Sequence, residues 1–286
     1  MENIEAIIPA HNEQDTISGV IQGIRKALGN SCRVTVVDDA SQDNTAEIAR
    51  SQGVRVISHP YHIGNGASIK TGLRKATCEF VLLIDGDGQH SPEDISGLLP
   101  EINRFDMVVG ARDFSRCSLR NFANRIYNLF ASYVTQFKIL DLTSGFRLVK
   151  RETALKFLYL LPNGFSSPST LTLAFLKTGR TINYLPVSSG LRQAGRSKIR
   201  LFPDGIKFLL IIMRIATLFS PLRVFLPVSG LFFASGLLYY VYTFITSHRF
   251  TNMAVFLFSA SVLVFMLGLI SEQISQLRMD KTEAES

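Results

Sequence analysis

Asp85 and Asp87 stand one residue apart at the end of the apolar run Phe80-Val81-Leu82-Leu83-Ile84, and Gln89 follows two residues later. Two carboxylates crowded this closely repel each other unless a cation or hydrogen-bond donors neutralise them. Their hard oxygens, with the amide oxygen of Gln89, suit Mg²⁺ or Mn²⁺ shared with substrate phosphates. A second acidic pair, Asp38-Asp39, closes the run from Arg33 to Val37, and His11-Asn12-Glu13 follows the run from Ile4 to Pro9. Ionised carboxylates only accept hydrogen bonds, so such pairs suit ribose hydroxyls and base N–H groups, while a metal takes a diphosphate. A lone Asp-x-Asp would read as a solvated turn. Acids repeated at the ends of separate apolar runs favour a ligand site instead.

The runs that carry these residues are short and rich in branched aliphatics, which predicts buried strands. Gly86 and Gly88 mark a turn, and Pro92 is placed to start a helix. Asp15-Thr16 offers a cap for a helix to about Leu28, and Asp43 or Asn44 for one to Ser51. Val54-Arg55-Val56-Ile57 reads as a third strand, and Gly64-Asn65-Gly66-Ala67 leads into a helix through Ala76. This alternation predicts a parallel sheet with helices on both faces, its acids gathered at the carboxyl edge where such sheets bind ligands. Gly64-Asn65-Gly66 lacks the third glycine of a dinucleotide fingerprint, and no Gly-Lys-Ser/Thr phosphate loop occurs.

The apolar residues are unevenly distributed along the 286 residues, which carry a net charge of +7. From about Ile206 onward Leu, Ile, Phe and Val dominate. The amino terminus has no basic region before an apolar core, so no cleaved signal peptide is indicated. Cys32, Cys78 and Cys117 are far apart and read as reduced thiols. Val224–Thr246 and Phe250–Ser271 are uncharged runs of about twenty residues, long enough to span a bilayer. Ser247-His248-Arg249 would be the loop between them. Arg214 and Arg223 before the hairpin, with Arg278 and Lys281 after it, place both ends and the sheet domain in the cytoplasm, at the inner membrane. From Pro203 a helix with Asp204, Lys207 and Arg214 on one side and Phe208, Leu209, Ile212, Ile215 and Phe219 on the other suits the membrane interface. Eight basic residues and one acid lie between Arg180 and Arg223, a surface for anionic lipid headgroups; beside a hydrophobic half, nucleic acid is excluded as a partner. Gly230, Ser235 and Gly236 offer small-residue contacts for the second span or for another subunit in a homo-oligomer. The expected domains are 1–200 for the sheet, 201–222 for the interfacial helix, 223–274 for the hairpin and 275–286 for a tail.

The segments PAHNE from Pro9, VVDDASQDNT from Val36, GNGASIKTG from Gly64 and IDGDGQHSPED from Ile84 resemble glycosyltransferase family 2, with its GT-A fold. More narrowly they are similar to the dolichyl- or polyprenyl-phosphate sugar synthases. The match continues through Gly110-Ala111-Arg112, DLTSGFRLVKR from Asp141 and RQAGRSK from Arg192 to Lys198. The resemblance implies that Pro9, His11, Glu13, Val37 and Asp39 line a nucleoside pocket, with Asp85 and Gly86 beside the ribose and diphosphate. It implies that Asp87 and Gln89, with Asp85, hold Mg²⁺ or Mn²⁺, and that Arg112, Arg192 and Lys198 face phosphates as catalytic groups. Arg120, Asn124 and Arg147 would serve the acceptor phosphate. His11 departs from the Tyr often found in these synthases.

The expected reaction is inverting transfer of a sugar from a nucleoside diphosphate sugar to polyprenyl phosphate. A hydroxyl acceptor would need a general base, and Phe165-Ser166-Ser167-Pro168-Ser169 has no carboxylate where a base is expected. A lipid phosphate is already ionised and needs none. The five histidines form no ligand spacing, and His90 reads as a turn residue. Tyr127, Phe130, Tyr133 and Phe137 read as one packing face, and Lys150-Arg151 as a solvated helix start.

Overall fold

The computed structural model describes residues 3–112, 119–164, 166–187 and 220–284. They fall into two compact units, one of residues 1–132 and 137–201, the other of 133–136 and 202–286. The expected interfacial helix lies largely outside the described residues.

The first unit is built on seven strands: β1 (Ile4–Ala10), β2 (Arg33–Asp38), β3 (Arg55–Ser58), β4 (Phe80–Leu83), β5 (Met107–Arg112), β6 (Arg147–Lys150) and β7 (Ile182–Val187). Their order is β3-β2-β1-β4-β6-β5-β7. All neighbours are parallel except β6, which runs antiparallel to both β4 and β5. Helices α1 (Ile17–Leu28), α2 (Thr45–Ser51), α3 (Asn65–Lys75), α4 (Pro92–Leu98), α5 (Leu119–Thr135), α6 (Arg151–Lys156) and α7 (Ser167–Lys177) connect them. This mixed, mostly parallel sheet is the GT-A arrangement.

Every residue of β1 is buried, as a central strand covered on both faces requires. On one side Ile8, Ile17, Ile21, Ile24, Val36 and Leu82 form a continuous core. On the other, α3 approaches so closely that a methyl group at Gly72 would stand 2.4 Å from Ile7 Cγ2. Pro92 opens α4 behind a capping box: Ser91 Oγ accepts from Asp94 N at 3.2 Å, and Asp94 Oδ2 accepts from Ser91 N at 3.2 Å.

The chain runs outward along β1, β2 and β3, then returns across β1 to β4. The carboxyl ends of β1 and β4 therefore flank a point where strand order reverses, and a crevice opens there in such sheets.

Two expectations about packing are corrected. Of the aromatic series only Tyr127 is core; Phe130 is half-buried and Tyr133 exposed in α5, and Phe137, beyond the end of α5, is exposed too. The two steps of three residues from Tyr127 to Tyr133 slip about 60° each on a helix with 3.6 residues per turn, so the series winds off the buried face. Lys150 is not merely solvated, because its Nζ lies 3.2 Å from Asp106 Oδ1, and Arg151 Nε donates to Leu73 O at 3.2 Å.

In the second unit, α8 (Leu222–Ser247) and α9 (Asn252–Ala284) form a hairpin. Leu222–Ser247 and Asn252–Leu277 have mean hydropathies of 1.7 and 2.6, with only 11% and 17% of their apolar windows buried. A core helix of a soluble protein would be mostly covered; these are long enough to cross a bilayer and present their apolar sides outward. Gly236 lies against Leu257 and Phe258, whereas nothing lies near Gly230 and Ser235 is exposed. Glu272 Oε2 accepts from Leu222 N at 3.1 Å, satisfying one donor at the start of α8.

Candidate active site

Strands β1 and β2 end side by side, and the two residues that follow them turn sharply. Asn12 and Ala40 both take φ of 57°, the left-handed region that costs an L-residue about 1–2 kcal/mol. The turns bring His11 and Asp39 together: His11 Nδ1 donates to Asp39 O at 2.9 Å, and Asp39 N to Ala10 O at 2.8 Å. The Asp39 carboxylate is buried. It accepts from Ile63 N at 3.0 Å, Gly64 N at 2.7 Å and His59 Nδ1 at 2.8 Å, and His62 Nδ1, which donates to Asp39 O at 3.4 Å, lies 2.9 Å from Oδ2. Burial alone would raise its pKa; the donors from His59, Ile63 and Gly64 outweigh that and hold it below the usual carboxylate value.

Pro9 and Val37 are partners in the β1–β2 register, and both are buried. Glu13 is tied into the α1 turn, its N donating to Thr45 Oγ1 at 2.9 Å and its carboxylate 3.2 Å from Thr16 Oγ1. Thr16 Oγ1 also donates to Gly86 O at 2.6 Å, which joins the β1 loop to the segment after β4.

That segment carries the acids. Asp85 lies against Gly145, where a methyl group would stand 2.3 Å from Oδ2. Loss of water, and then the neighbouring charge of Asp87, push the Asp85 pKa up; Asn65, Arg112 and Arg147 oppose the shift. Asn65 Nδ2 is 3.5 Å from Asp85 Oδ1, and Asp87 Oδ1 accepts from Gln89 N at 3.2 Å. An under-neutralised carboxylate pair beside an amide fits a divalent cation that still needs outside oxygen ligands. Among the described residues no three or more His, Cys, Asp or Glu side chains cluster as a metal cage.

His90 lies in a bend, as a turn residue would. It stacks on Phe146, ring centroids 4.4 Å apart and 21° from parallel, and burial lowers its pKa. Arg112, expected to face phosphates, grips Asp141: Nε is 2.7 Å from Oδ2, and Nη2 is 3.0 Å from Oδ1 and 2.7 Å from Thr143 Oγ1. Arg147 departs further from expectation. It is 1% exposed, and its guanidinium donates to Ser144 O, Pro168 O at 2.8 Å and Thr172 Oγ1 at 3.1 Å. The antiparallel strand β6 carries it into the interior, where it braces α7 and cannot meet an acceptor phosphate. Asn124 is buried in α5.

The structure thus gathers Pro9, His11, Val37, Asp39, Asp85, Gly86, Asp87 and Gln89 along one edge, with Glu13 behind them. Arg192 and Lys198 lie outside the described residues, as does the side chain of Arg120. Two serines in the first turn of α7 are bound to backbone, Ser167 Oγ donating to Pro162 O at 3.0 Å and Ser169 Oγ to Leu142 O at 3.3 Å. Sequence reading missed His59, His62, Thr16 and Asp141. The i, i+3 spacing of His59 and His62 just after a strand was the available signal.

The family model described as glycosyl transferase family 2 matches residues 5–157, and that of the GtrB C-terminal hairpin matches residues 220–277. The chain is 28% identical to glycosyltransferase AglJ of Haloferax volcanii, over 96% of this chain and 94% of that protein. It is 25% identical to an undecaprenyl-phosphate mannosyltransferase of Micrococcus luteus, over 68% of this chain and 86% of that one. In fold it is similar to glucosyl-3-phosphoglycerate synthase of Mycobacterium tuberculosis, solved with Mn²⁺, UDP and glucosyl-3-phosphoglycerate. The TM-score is 0.60 and the identity 21%, covering 75% of this chain and 78% of that one.

Proposed function

The chain belongs to glycosyl transferase family 2, and from that premise we propose that it transfers a sugar from a nucleoside diphosphate sugar to polyprenyl phosphate, with inversion, at the cytoplasmic face of the cell membrane. The observation that carries this reading is the Asp85, Asp87 and Gln89 group at the β1–β4 crevice, in a chain that ends in an apolar hairpin. The named polyprenyl-phosphate relative supports the acceptor. The Mn²⁺ and UDP of the solved relative support a divalent metal and a nucleotide donor.

Asp87 and Gln89, with Asp85, would hold Mg²⁺ or Mn²⁺, which supplies positive charge for the leaving diphosphate. Pro9, Val37, His11 and Asp39 would bind the nucleoside. Asp85 would orient the ribose and the diphosphate, held in place by its contact with Gly145. The Arg112–Asp141 pair positions the wall beside Asp85. Arg192 and Lys198 would add charge to the two phosphates.

A phosphate oxygen of the acceptor attacks the anomeric carbon from the face opposite the diphosphate. The bond to the diphosphate oxygen breaks, and the nucleoside diphosphate leaves with that electron pair. The attacking oxygen is already ionised, so no carboxylate base is required, consistent with the lack of a carboxylate at Ser166, Ser167 and Ser169.

The test supplies labelled UDP- and GDP-sugars to the full-length protein in vesicles holding either polyprenyl phosphate or polyprenol. Label in an acid-labile lipid phosphate sugar is the expected result. Transfer to polyprenol instead overturns the acceptor assignment.

A further inference from the structure

Asp39 stands where the proposed donor's base would dock, yet its carboxylate is already covered. A carboxylate offers about four lone-pair sites; three accept hydrogen bonds and a ring lies over the fourth. Oδ1 holds Ile63 N–H and His59 Nδ1–H; Oδ2 holds Gly64 N–H, and His62 Nδ1, which donates to Asp39 O at 3.4 Å, lies 2.9 Å from Oδ2. The three donors are built in. Two are backbone groups, and the His59 side chain is 8% exposed, with its Nε2 3.0 Å from Thr71 Oγ1. His62 is not: its side chain is 60% exposed.

His62 also covers a second surface. Its ring lies on that of His11, centroids 4.3 Å apart and 37° from parallel. His11 is oriented by its Nδ1–H bond to Asp39 O, and its Nε2 lies 3.4 Å from Asn12 Nδ2. One exposed imidazole therefore covers both features a nucleobase would use, the Oδ2 acceptor and the flat face of His11. These rings do not form a metal site, because His59 spends Nδ1 on the Asp39 carboxylate and His62 spends Nδ1 on the Asp39 carbonyl, and no three-residue metal cluster occurs among the described residues.

We infer that His62 is an internal stand-in for the nucleobase, a side chain that leaves Asp39 and His11 when the donor enters and so sets the affinity and selectivity of donor binding. The inference rests on the nucleotide-sugar reading above. The entering group must replace what His62 provides, a polar ring edge 2.9 Å from Oδ2 and a flat ring over His11; the ring N–H edge of uracil or guanine has both. Binding then exchanges an imidazole–carboxylate contact for a hydrogen bond from the base. The nucleotide loses from its own affinity whatever His62 held. His62 is a specificity-determining residue that acts by competing.

Calorimetric titration of UDP and of GDP, each with Mn²⁺, into the full-length protein in nanodiscs compares wild type with His62→Ala. Tighter binding by the variant, by about three- to tenfold for the loss of one competing polar contact, is the expected result. Ring ¹⁵N resonances of labelled histidine provide a second readout: on saturation the His62 Nδ1 resonance shifts while His59 keeps its carboxylate-bonded position. Equal or weaker binding by His62→Ala, or an unchanged His62 resonance, overturns the stand-in role and leaves the donor reading intact. Failure of wild type to bind either nucleotide overturns the donor reading itself, and this inference with it.

Discussion

The Asp85 carboxylate lies so near the Cα of Gly145 that any side chain there would collide with it; a methyl carbon would stand 2.3 Å from Oδ2. Gly145 lies just before β6, the one antiparallel strand, which borders β4. The glycine is thus brought to the acid by an insertion in the sheet and not by sequence proximity. Gly145→Ala must displace the Asp85 carboxylate. A displacement of about 1 Å at a reacting centre can cost on the order of a hundredfold in rate. Transfer should fall by that order with little change in thermal stability. A fully active Gly145→Ala enzyme would count against Asp85 as a site residue.

Asp87 carries the metal prediction. Its carboxylate touches only the Gln89 backbone N–H among the hydrogen bonds described, which leaves it available to a cation. Asp87→Ala should abolish transfer and remove the metal dependence of nucleotide binding, with the fold intact by circular dichroism. Full wild-type activity in excess EDTA would show that no dissociable metal is used.

The Arg112–Asp141 pair has a stability consequence. Asp141 is fully buried and accepts from Arg112 N, Nε and Nη2 and from Thr143 N. Removing one partner of such a pair leaves an uncompensated charge and costs about 3–5 kcal/mol. Asp141→Ala should therefore lower Tm by on the order of 10 °C. Arg112→Lys cannot reproduce the forked contact, and should lose both stability and rate. Unchanged melting of Asp141→Ala by scanning calorimetry would contradict this account.

Much of this site is legible in the sequence because buried parallel strands read as short aliphatic runs, and the acids sit where those runs stop. The histidine cluster is not legible, because its logic is register. Asp38 pairs with Ser58 across β2 and β3, so the next residues, Asp39 and His59, emerge side by side although twenty positions separate them. Nothing in the spacing of His59 and His62 says which acid they meet. Arg147 misleads for a related reason. Its motif matches, but an inserted antiparallel strand carries it into the interior, and a local pattern does not encode which way a strand runs.

Asp39 predicts a pH dependence of stability. Its folded pKa is lowered from the ordinary 3.8, with burial opposing and the hydrogen bonds from His59, Ile63 and Gly64 prevailing. A depressed carboxylate contributes stability that is fully present above 3.8 and is lost as pH falls through the lower folded value. Asp39→Asn should thus be less stable than wild type at neutral pH, and the gap should narrow on acidification below about 3.8. Comparing the two proteins cancels Asp43 and Asp106, which are shifted in the same direction. A gap that widens in acid would refute the assignment.

The hairpin supplies the last test. Ser229 Oγ donates to Ser261 O at 3.0 Å and Ser261 Oγ to Ser229 O at 3.0 Å, with both side chains buried between the helices. Each hydroxyl donates to a backbone carbonyl, so removing one leaves the other bond in place. Ser229→Ala and Ser261→Ala should each cost about 0.6 kcal/mol, as interhelical hydrogen bonds in membranes do, and the double variant about twice that. Ser229→Leu is different in kind. It forces a branched side chain into a closed seam, where no alternative hydrogen bond relieves the overpacking, and separates the two spans. The crevice belongs wholly to the other unit, so Ser229→Leu should leave nucleotide affinity unchanged while transfer to long-chain polyprenyl phosphate falls severalfold. Loss of nucleotide binding in this variant, with membrane insertion preserved, would show that the hairpin does more than serve the lipid acceptor.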